Sequence, residues 1–352
     1  MNFTFEDIWK IYNRLEDEIS REIYMARMSY SATHNEEYVI NMLSKYKNID
    51  ADTRMLTEQI FNNKYKIVIC GAGVHGRTIA SSFRRIEIFA FIDNYREEKI
   101  DIQTNLPIYS FEDYMEIFGI GNTNFLISVL DKESILQIEQ QLLNIGVSKQ
   151  NIIKMNRDWR NNTSQYFDVF TPKENEVFVD CGCFDGSSAF GFAAWCRDLS
   201  YNKIVCFEPD PQLYKKCNKA IKKLSDCYLY PYGVSNQSGT VSFLANGRED
   251  AHIVTSNLSS DVEIINTVDL NTFLADERIT FIKMDIEGAE YDALIGASDI
   301  IKNQKPRLAI SIYHNLEHIV TIPKLLLSLR DDYKFKLRHY SMLPNETILY
   351  AE

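Results

Sequence analysis

Two short stretches limit the folds open to this chain more than anything else in it. "KIVICGAGVHGRTIA" (66–80) and "VFVDCGCFDGSSAF" (177–190) each run from an apolar, β-branched segment through a glycine turn into a helix-forming segment. Strand, tight turn and helix in that order open a parallel α/β unit, with the first backbone N–H groups of the helix facing whatever lies above the strand end. Two such openings in 352 residues predict two α/β units, and that length suits two cores better than one.

The remaining pattern fills in both units. After the first turn, "IFAFID" and "NFLISVL" (124–130) read as strands, "ESILQIEQQLLNIG" as a helix and "NIIKM" as a closing strand, which predicts a small parallel sheet, Rossmann-like, over 63–156. Ahead of it Ile8, Ile11, Tyr12, Leu15 and Ile19 recur at helical spacing, so 1–62 reads as an amphipathic helical leader. Its apolar stripe must be buried, either on its own α/β unit or against a second copy in a homo-oligomer. Residues 157–174, polar and rich in Asn and Arg, read as a linker. The second unit, 175–352, offers "VFVDC", "KIVCFEP", "CYLYPYGV", "ITFIKMD" and "RLAISIY" as crossover-linked strands, with "GTVSFLA" as a short extra one. "FKLRHYS" and "ETILYAE" are joined by the turn "MLPN", a connection only an antiparallel pair permits.

Charge and cysteine content exclude some functions. A formal net charge of -11 argues against the broad basic face that nucleic-acid binding needs, and Lys215, Lys216, Lys219, Lys222 and Lys223 read as the solvated side of one helix. Neither a membrane-length apolar run nor a signal-peptide pattern is present, so a cytoplasmic protein without membrane insertion is expected. The 7 cysteines have no metal-type spacing and suit a reducing compartment; Cys181 and Cys183 read as small residues packed under a loop.

The two turns differ in kind. Gly71, Gly73 and Gly76 form G-x-G-x-x-G, and Asp93 closes the next strand, where an acid can hold ribose hydroxyls. No Tyr-x-x-x-Lys pair or other hydride-transfer set follows, so a nucleotide or acceptor site and a structural or regulatory role both stay open here. In the second turn Asp180, Gly182 and Gly186 give D-x-G-x-x-x-G, a loop that lets the amino-acid part of a cofactor lie over the strand end. Glu208, in "VCFEPDP", closes the next strand and is placed to accept from the ribose 2′ and 3′ hydroxyls; Pro209 and Pro211 fix its turn. These features point to S-adenosylmethionine. A third stretch, "FIKMDIEGAEYDAL" (281–294), sets Asp285, Glu287 and Glu290 at and just past a strand end, where open α/β sheets bind ligands. Three crowded carboxylates are costly unless they serve a cation or hydroxyl donors, and Gly288 permits the sharp exit.

With "FVDCGCFDGSS", "FEPDP", "GVSNQSGTVSF", "FIKMDIEGAE", "LAISIYH" and "FKLRHYS...ETILYA" in order over 175–352, the chain resembles the FkbM family of S-adenosylmethionine-dependent methyltransferases. The segment before them resembles the helical and Rossmann-like leader of some bacterial members. The resemblance implies a class I methyltransferase sheet of seven strands ending in an antiparallel hairpin. It also implies methyl transfer to a hydroxyl of a sugar or polyketide-type acceptor, in some relatives helped by a divalent metal such as Mg. Cys183 stands where alanine is more usual, a change small enough to keep cofactor binding.

Asp180, Gly182, Gly186, Glu208 and Asp285 are therefore the expected cofactor-binding residues, and Asp285, Glu287 and His314 the candidates for catalysis or for a metal. His314 ends "SIYH" and can face Asp285 from the neighbouring strand tip. His318 lies one helical turn beyond it, without the Glu of an H-E-x-x-H arrangement. His339 reads as structural, Arg338 beside it as a holder for an anionic acceptor, and His75 as an exposed residue with no role. The acceptor pocket is expected to draw on "NGREDAHIVTSNLSSDVE" (246–263), which carries no readable code. The leading expectation is O-methylation of a sugar, nucleotide sugar or glycan intermediate. Two others stay open: an NAD(P)-dependent sugar oxidoreductase working at the first turn, and a non-catalytic binding subunit.

Overall fold

The computed structural model describes residues 3–43, 65–82, 88–129, 131–154, 165–197, 199–244, 262–340 and 344–352. The end of the leader, the start of the linker, most of the acceptor loop and half of the "MLPN" turn lie outside the described residues. The chain divides into two compact units, one of Met1–Met25, Asn162–Tyr340 and Asn345–Glu352, the other of Ala26–Asn161 and Ser341–Pro344.

The leader forms helices at Phe5–Arg14, Glu18–Thr33 and Glu37–Leu43, the first closed by a capping box between Thr4 and Asp7. The boundary between units falls inside the second helix, so the leader expected as one segment is divided between them.

In the unit of Ala26–Asn161 a sheet is built from β1 (Lys66–Cys70), β2 (Ile88–Ile92), β3 (Ile108–Tyr109), β4 (Thr123–Ile127) and β5 (Ile152–Lys154). Its order is β3-β2-β1-β4-β5 and every pairing is parallel, as the alternation of strands and helices predicts. Apolar side chains of β1, β2 and β4 are buried on both faces, the condition of a parallel sheet covered on each side. Two short elements were not anticipated: β3, only two residues long, and the helix Phe111–Phe118, which is capped by Ser110.

The other unit holds β6 (Glu176–Cys181), β7 (Tyr201–Phe207), β8 (Cys227–Tyr230), β9 (Gly233–Val234), β10 (Gly239–Leu244), β11 (Val262–Val268), β12 (Phe281–Met284), β13 (Arg307–Ser311), β14 (Phe335–His339) and β15 (Thr347–Ala351). Seven of these form one sheet in the order β14-β15-β13-β12-β6-β7-β8. β15 runs antiparallel to both β13 and β14, which gives the anticipated terminal hairpin on a parallel sheet. β9, β10 and β11 make a separate three-stranded sheet in which β11 was unforeseen. The outer edge is covered by the leader: Glu16 N donates to Phe335 O at 3.0 Å and Leu337 N donates to Ser20 Oγ at 2.8 Å. Arg338, expected as a holder for an anionic acceptor, is instead paired with Asp17 at 2.8 Å, because the same leader turn brings that carboxylate to it.

The second half of the expected linker is part of this unit's core. Phe167 and Phe170 are buried against Phe178, Phe192 and Phe281, and Phe178 stacks on Phe192 with ring centroids 4.4 Å apart. The aromatics of "QYFDVF" outweigh the polar residues around them. Charges are set at opposite ends of the central strands. Glu176 and Arg307 pair where β6 and β13 begin; Asp180 and Lys283, cross-strand partners on β6 and β12, pair at 3.1 Å where those strands end. The chain runs outward in both directions from β6, to β7 on one side and β12 on the other, so the strand ends at this switch point are where an open sheet takes its ligand. Among the described residues no helix is long and apolar enough to cross a membrane.

Candidate active site

The loop after β6 is pinned from below. Asp180 is fully buried, with Ser188 Oγ donating to its Oδ2 and Lys283 against its Oδ1. Lys283 Nζ also donates to Gly182 O at 2.6 Å. Burial works against the ammonium, but the charges of Asp180 and Asp285 outweigh it and raise the pKa of Lys283. Asp180, expected to face the cofactor, therefore acts beneath the loop. The two glycines of the loop are closely packed. A Cβ on Gly182 (φ +77) would lie 2.0 Å from Asp285 O, and one on Gly186 (φ +88) 2.8 Å from Ile221 Cγ2. Both are needed for a left-handed backbone and for close packing of protein on protein. Cys183, buried, has its Sγ 3.4 Å from that of Cys217; both thiols are raised well above the ordinary range, Cys183 chiefly by burial and Cys217 by its contact with Cys183 and then by burial, so they are packing residues.

Glu208 stands at the end of β7 with two backbone donors on it: Phe184 N to Oε2 and Asp210 N to Oε1, each at 3.0 Å. It thereby ties the glycine loop to the Pro211–Ile221 helix, whose first N–H groups Asp210 caps. Burial raises the Glu208 carboxyl to about 7 against the opposing pull of those two N–H groups. Each carboxylate oxygen keeps a free lone pair, so hydroxyl donors can still be accepted.

The exit of β12 carries the densest charge. Asp285 Oδ2 accepts from Tyr166 OH at 2.7 Å and Oδ1 from Tyr313 OH at 3.3 Å. Burial acts to raise Asp285, yet the charges of His314 and Lys283 and the Tyr166 hydroxyl hold it below the usual carboxylate range. Glu287 (φ +53) and Gly288 (φ +102) make a left-handed exit, a strained conformation for a non-glycine residue. Burial raises the Glu287 carboxyl. Glu290, fully buried, folds back so that Oε1 accepts from Ile286 N at 3.0 Å and meets His314 Nδ1 at 2.8 Å, while Oε2 faces His318 Nδ1 at 3.4 Å. His314 Nε2 then lies 3.3 Å from Glu287 Oε2 and 3.5 Å from Asp285 Oδ1. Burial opposes charge on this ring, but Glu287 and Glu290 outweigh it and hold His314 well above the ordinary histidine value, whereas burial lowers His318. Asp285, Glu287 and His314 each offer a ligand atom within 4.8 Å of the others.

The structure thus brings Asp285, Glu287 and His314 together, as their positions at neighbouring strand tips suggested. His339 is bonded to Thr347 Oγ1 at 2.7 Å, a contact within the terminal hairpin. Sequence reasoning missed Tyr166, Tyr313 and the link from Glu290 to His314. The "QYFDVF" aromatics were the available signal for Tyr166; Tyr313 adjoins His314 in "SIYH" and was passed over.

Residues 180–337 match the family model described as the methyltransferase FkbM domain. That stretch, a little under half of the chain, is similar to the FkbM methyltransferase domain. Over 167 residues it is 27% identical to the 2-O-methyltransferase NoeI of Sinorhizobium fredii (strain NBRC 101917 / NGR234), a match that covers 41% of this chain and 66%, just under two thirds, of that protein. It shares its fold with the crystal structure of methyltransferase FkbM from Methylobacillus flagellatus KT, with a TM-score of 0.55 and 20% identity over 94% of this chain and 98% of that one.

The glycine turn of the other unit is braced by hydrogen bonds of its own. Asp93 Oδ2 accepts from Ala72 N at 2.8 Å and Oδ1 from Tyr95 N at 2.9 Å. Ser128, past the end of β4, donates to Cys70 O and Gly71 O, both at 3.0 Å. A Cβ on Gly71 (φ +111) would meet Ser128 Oγ at 2.9 Å and one on Gly76 would meet Gly71 O at 2.0 Å, whereas nothing lies within 4 Å of one on Gly73. His75, expected to be exposed, is half-buried.

Proposed function

We propose that the chain transfers the methyl group of S-adenosylmethionine to a hydroxyl oxygen of a sugar-containing acceptor. The observation that carries this reading is the cluster of Asp285, Glu287 and His314 at the exit of β12, one strand from a glycine loop tied down by Glu208. A carboxylate with free lone pairs at the end of the second strand fits the ribose hydroxyls of the cofactor, and a net-negative strand tip fits its sulfonium. Glu208 and the backbone from Cys183 to Ser187 would hold the cofactor, with Asp285 beside them. When bound, it supplies a methyl group already activated for transfer.

The protein then has to align a hydroxyl and take its proton. Glu287 is suited to accept that proton, because burial raises its proton affinity and its side chain is 31% exposed, more open than Asp285 or His314. His314, fixed between Glu287 and Glu290, orients the carboxylates instead of serving as the base. As the oxygen–carbon bond forms, the carbon–sulfur bond breaks, its electron pair stays on sulfur, and the hydroxyl proton passes to the cluster. The name of the 2-O-methyltransferase relative supports oxygen as the atom methylated. The test is incubation with methyl-labelled S-adenosylmethionine and a panel of sugars, nucleotide sugars and oligosaccharides, followed by mass spectrometry. A methyl ether on a sugar hydroxyl is expected; label found only on nitrogen would contradict the reading.

A further inference from the structure

We propose that Asp285, Glu287 and His314 bind a divalent first-row cation in the resting protein. A group of acids alone would not carry this, but the histidine is a separate observation. The His314 side chain is 9% exposed, and its Nε2 is buried without a hydrogen-bond partner although it points between two carboxylates. Its distances of 3.3 Å to Glu287 Oε2 and 3.5 Å to Asp285 Oδ1 are too long for good hydrogen bonds. They are close to the separation of about 3 Å between adjacent ligands of an octahedral ion with bonds of about 2.1 Å. All three ligand atoms lie within 4.8 Å of one another.

What stands behind the three residues is the outer shell such a site requires. The ring nitrogen of His314 that faces away from the cluster is held by a buried carboxylate, Glu290, at 2.8 Å. That arrangement fixes which nitrogen is left for a metal. Asp285 is oriented by two tyrosine hydroxyls, Tyr166 and Tyr313. Three carboxylates around one imidazole leave the cluster negative even when the ring is charged, and a divalent ion relieves that repulsion. One nitrogen and two carboxylate oxygens suit Mn²⁺ better than Mg²⁺, which disfavours nitrogen, and better than a thiolate-preferring ion.

The ion's binding stands on this geometry alone, whereas its role rests on the methyl-transfer reading. An acceptor hydroxyl coordinated to the ion becomes more acidic, and the Glu287 oxygen not used as a ligand remains to take the proton.

The test is titration of the full-length, chelator-stripped protein with Mn²⁺, reading free Mn²⁺ by electron paramagnetic resonance. One ion per chain is expected, with affinity falling about 10-fold or more in Glu287→Gln and in His314→Gln. It should be unchanged in Asp292→Asn, an exposed acid nearby. S-adenosylmethionine affinity, measured on the same samples, reports whether each variant is folded and whether the cofactor reading holds. No uptake of Mn²⁺ at about 1 mM by the wild type, or uptake that survives Glu287→Gln undiminished in a folded sample, overturns the cation site. Cofactor binding without Mn²⁺ binding would overturn the inference and leave the methyl-transfer reading standing.

Discussion

The two glycine turns of this chain start alike and end differently. In both, the carboxylate that closes the second strand bonds a backbone N–H of the loop: Asp93 with Ala72, Glu208 with Phe184. In both, two glycines are required by close packing. The difference lies on the neighbouring strand tip. Beside the first turn, Ser128 donates to the carbonyls of Cys70 and Gly71. Beside the second, β12 brings Lys283, which pins the loop, and then Asp285, Glu287 and Glu290, which hold His314. A glycine turn between strand and helix is thus a generic device of parallel sheets, and the proposed function rests on what the adjacent strand delivers to it.

The largest test of that contrast is at the strand tips. Asp285→Asn is expected to lower turnover by about 100- to 1,000-fold in the labelled-methyl assay, whereas Ser128→Ala, at the corresponding place beside the first turn, should leave turnover within about twofold. Equal losses in the two variants would erase the distinction. Next come the glycines. Gly182→Ala puts a Cβ 2.0 Å from a backbone oxygen in a left-handed conformation, and a loss of about 3 kcal/mol in denaturant unfolding is expected. Gly73→Ala meets nothing within 4 Å and should change stability by less than about 0.5 kcal/mol.

Glu208→Gln is expected to weaken S-adenosylmethionine binding by about 10- to 100-fold, the worth of hydrogen bonds to a charged acceptor, and Asp93→Asn not to alter it. The pH dependence sharpens the same point. Glu208 titrates at about 7 in the folded protein against an ordinary 4.5, so the folded state holds its proton more tightly than the unfolded chain between those values. Stability from this group is therefore present at low pH and is lost as pH rises from 4.5 to about 7, then stays level. Ribose hydroxyls need the ionised form, so cofactor affinity should rise with pH up to about 7 in the wild type and lose that rise in Glu208→Gln, as calorimetry across pH would read. The smallest effect belongs to Cys183→Ala. Removing one buried sulfur is expected to cost about 1 kcal/mol of stability and to leave cofactor affinity within about twofold.

The parts of this molecule legible from sequence are those written in local pattern. Short apolar runs separated by glycine turns revealed both sheets, and the turn too short for a crossover revealed the terminal hairpin. Glu208 and Asp285 were placed correctly at strand ends because strand ends can be counted. What escaped was set by contacts between distant residues. Tyr166 reaches Asp285 from 119 positions away, out of a segment whose polarity suggested a linker. Asp180 was read as facing a ligand because sequence shows its position on the strand but not Lys283 opposite it. Glycine also has two uses that look identical in sequence, approach to a ligand and packing of protein on protein; in the second turn the packing use is the one observed. Two-residue β3 is too short to show any period.

The most direct measurement is parallel calorimetric titration of the purified protein with S-adenosylmethionine and with oxidised and reduced nicotinamide dinucleotides, on wild type, Glu208→Ala and Asp93→Ala. Micromolar binding of S-adenosylmethionine at one site per chain, lost in Glu208→Ala and kept in Asp93→Ala, is expected. Binding of a dinucleotide alone, lost in Asp93→Ala, would contradict methyl transfer at the second turn and move the chemistry to the first.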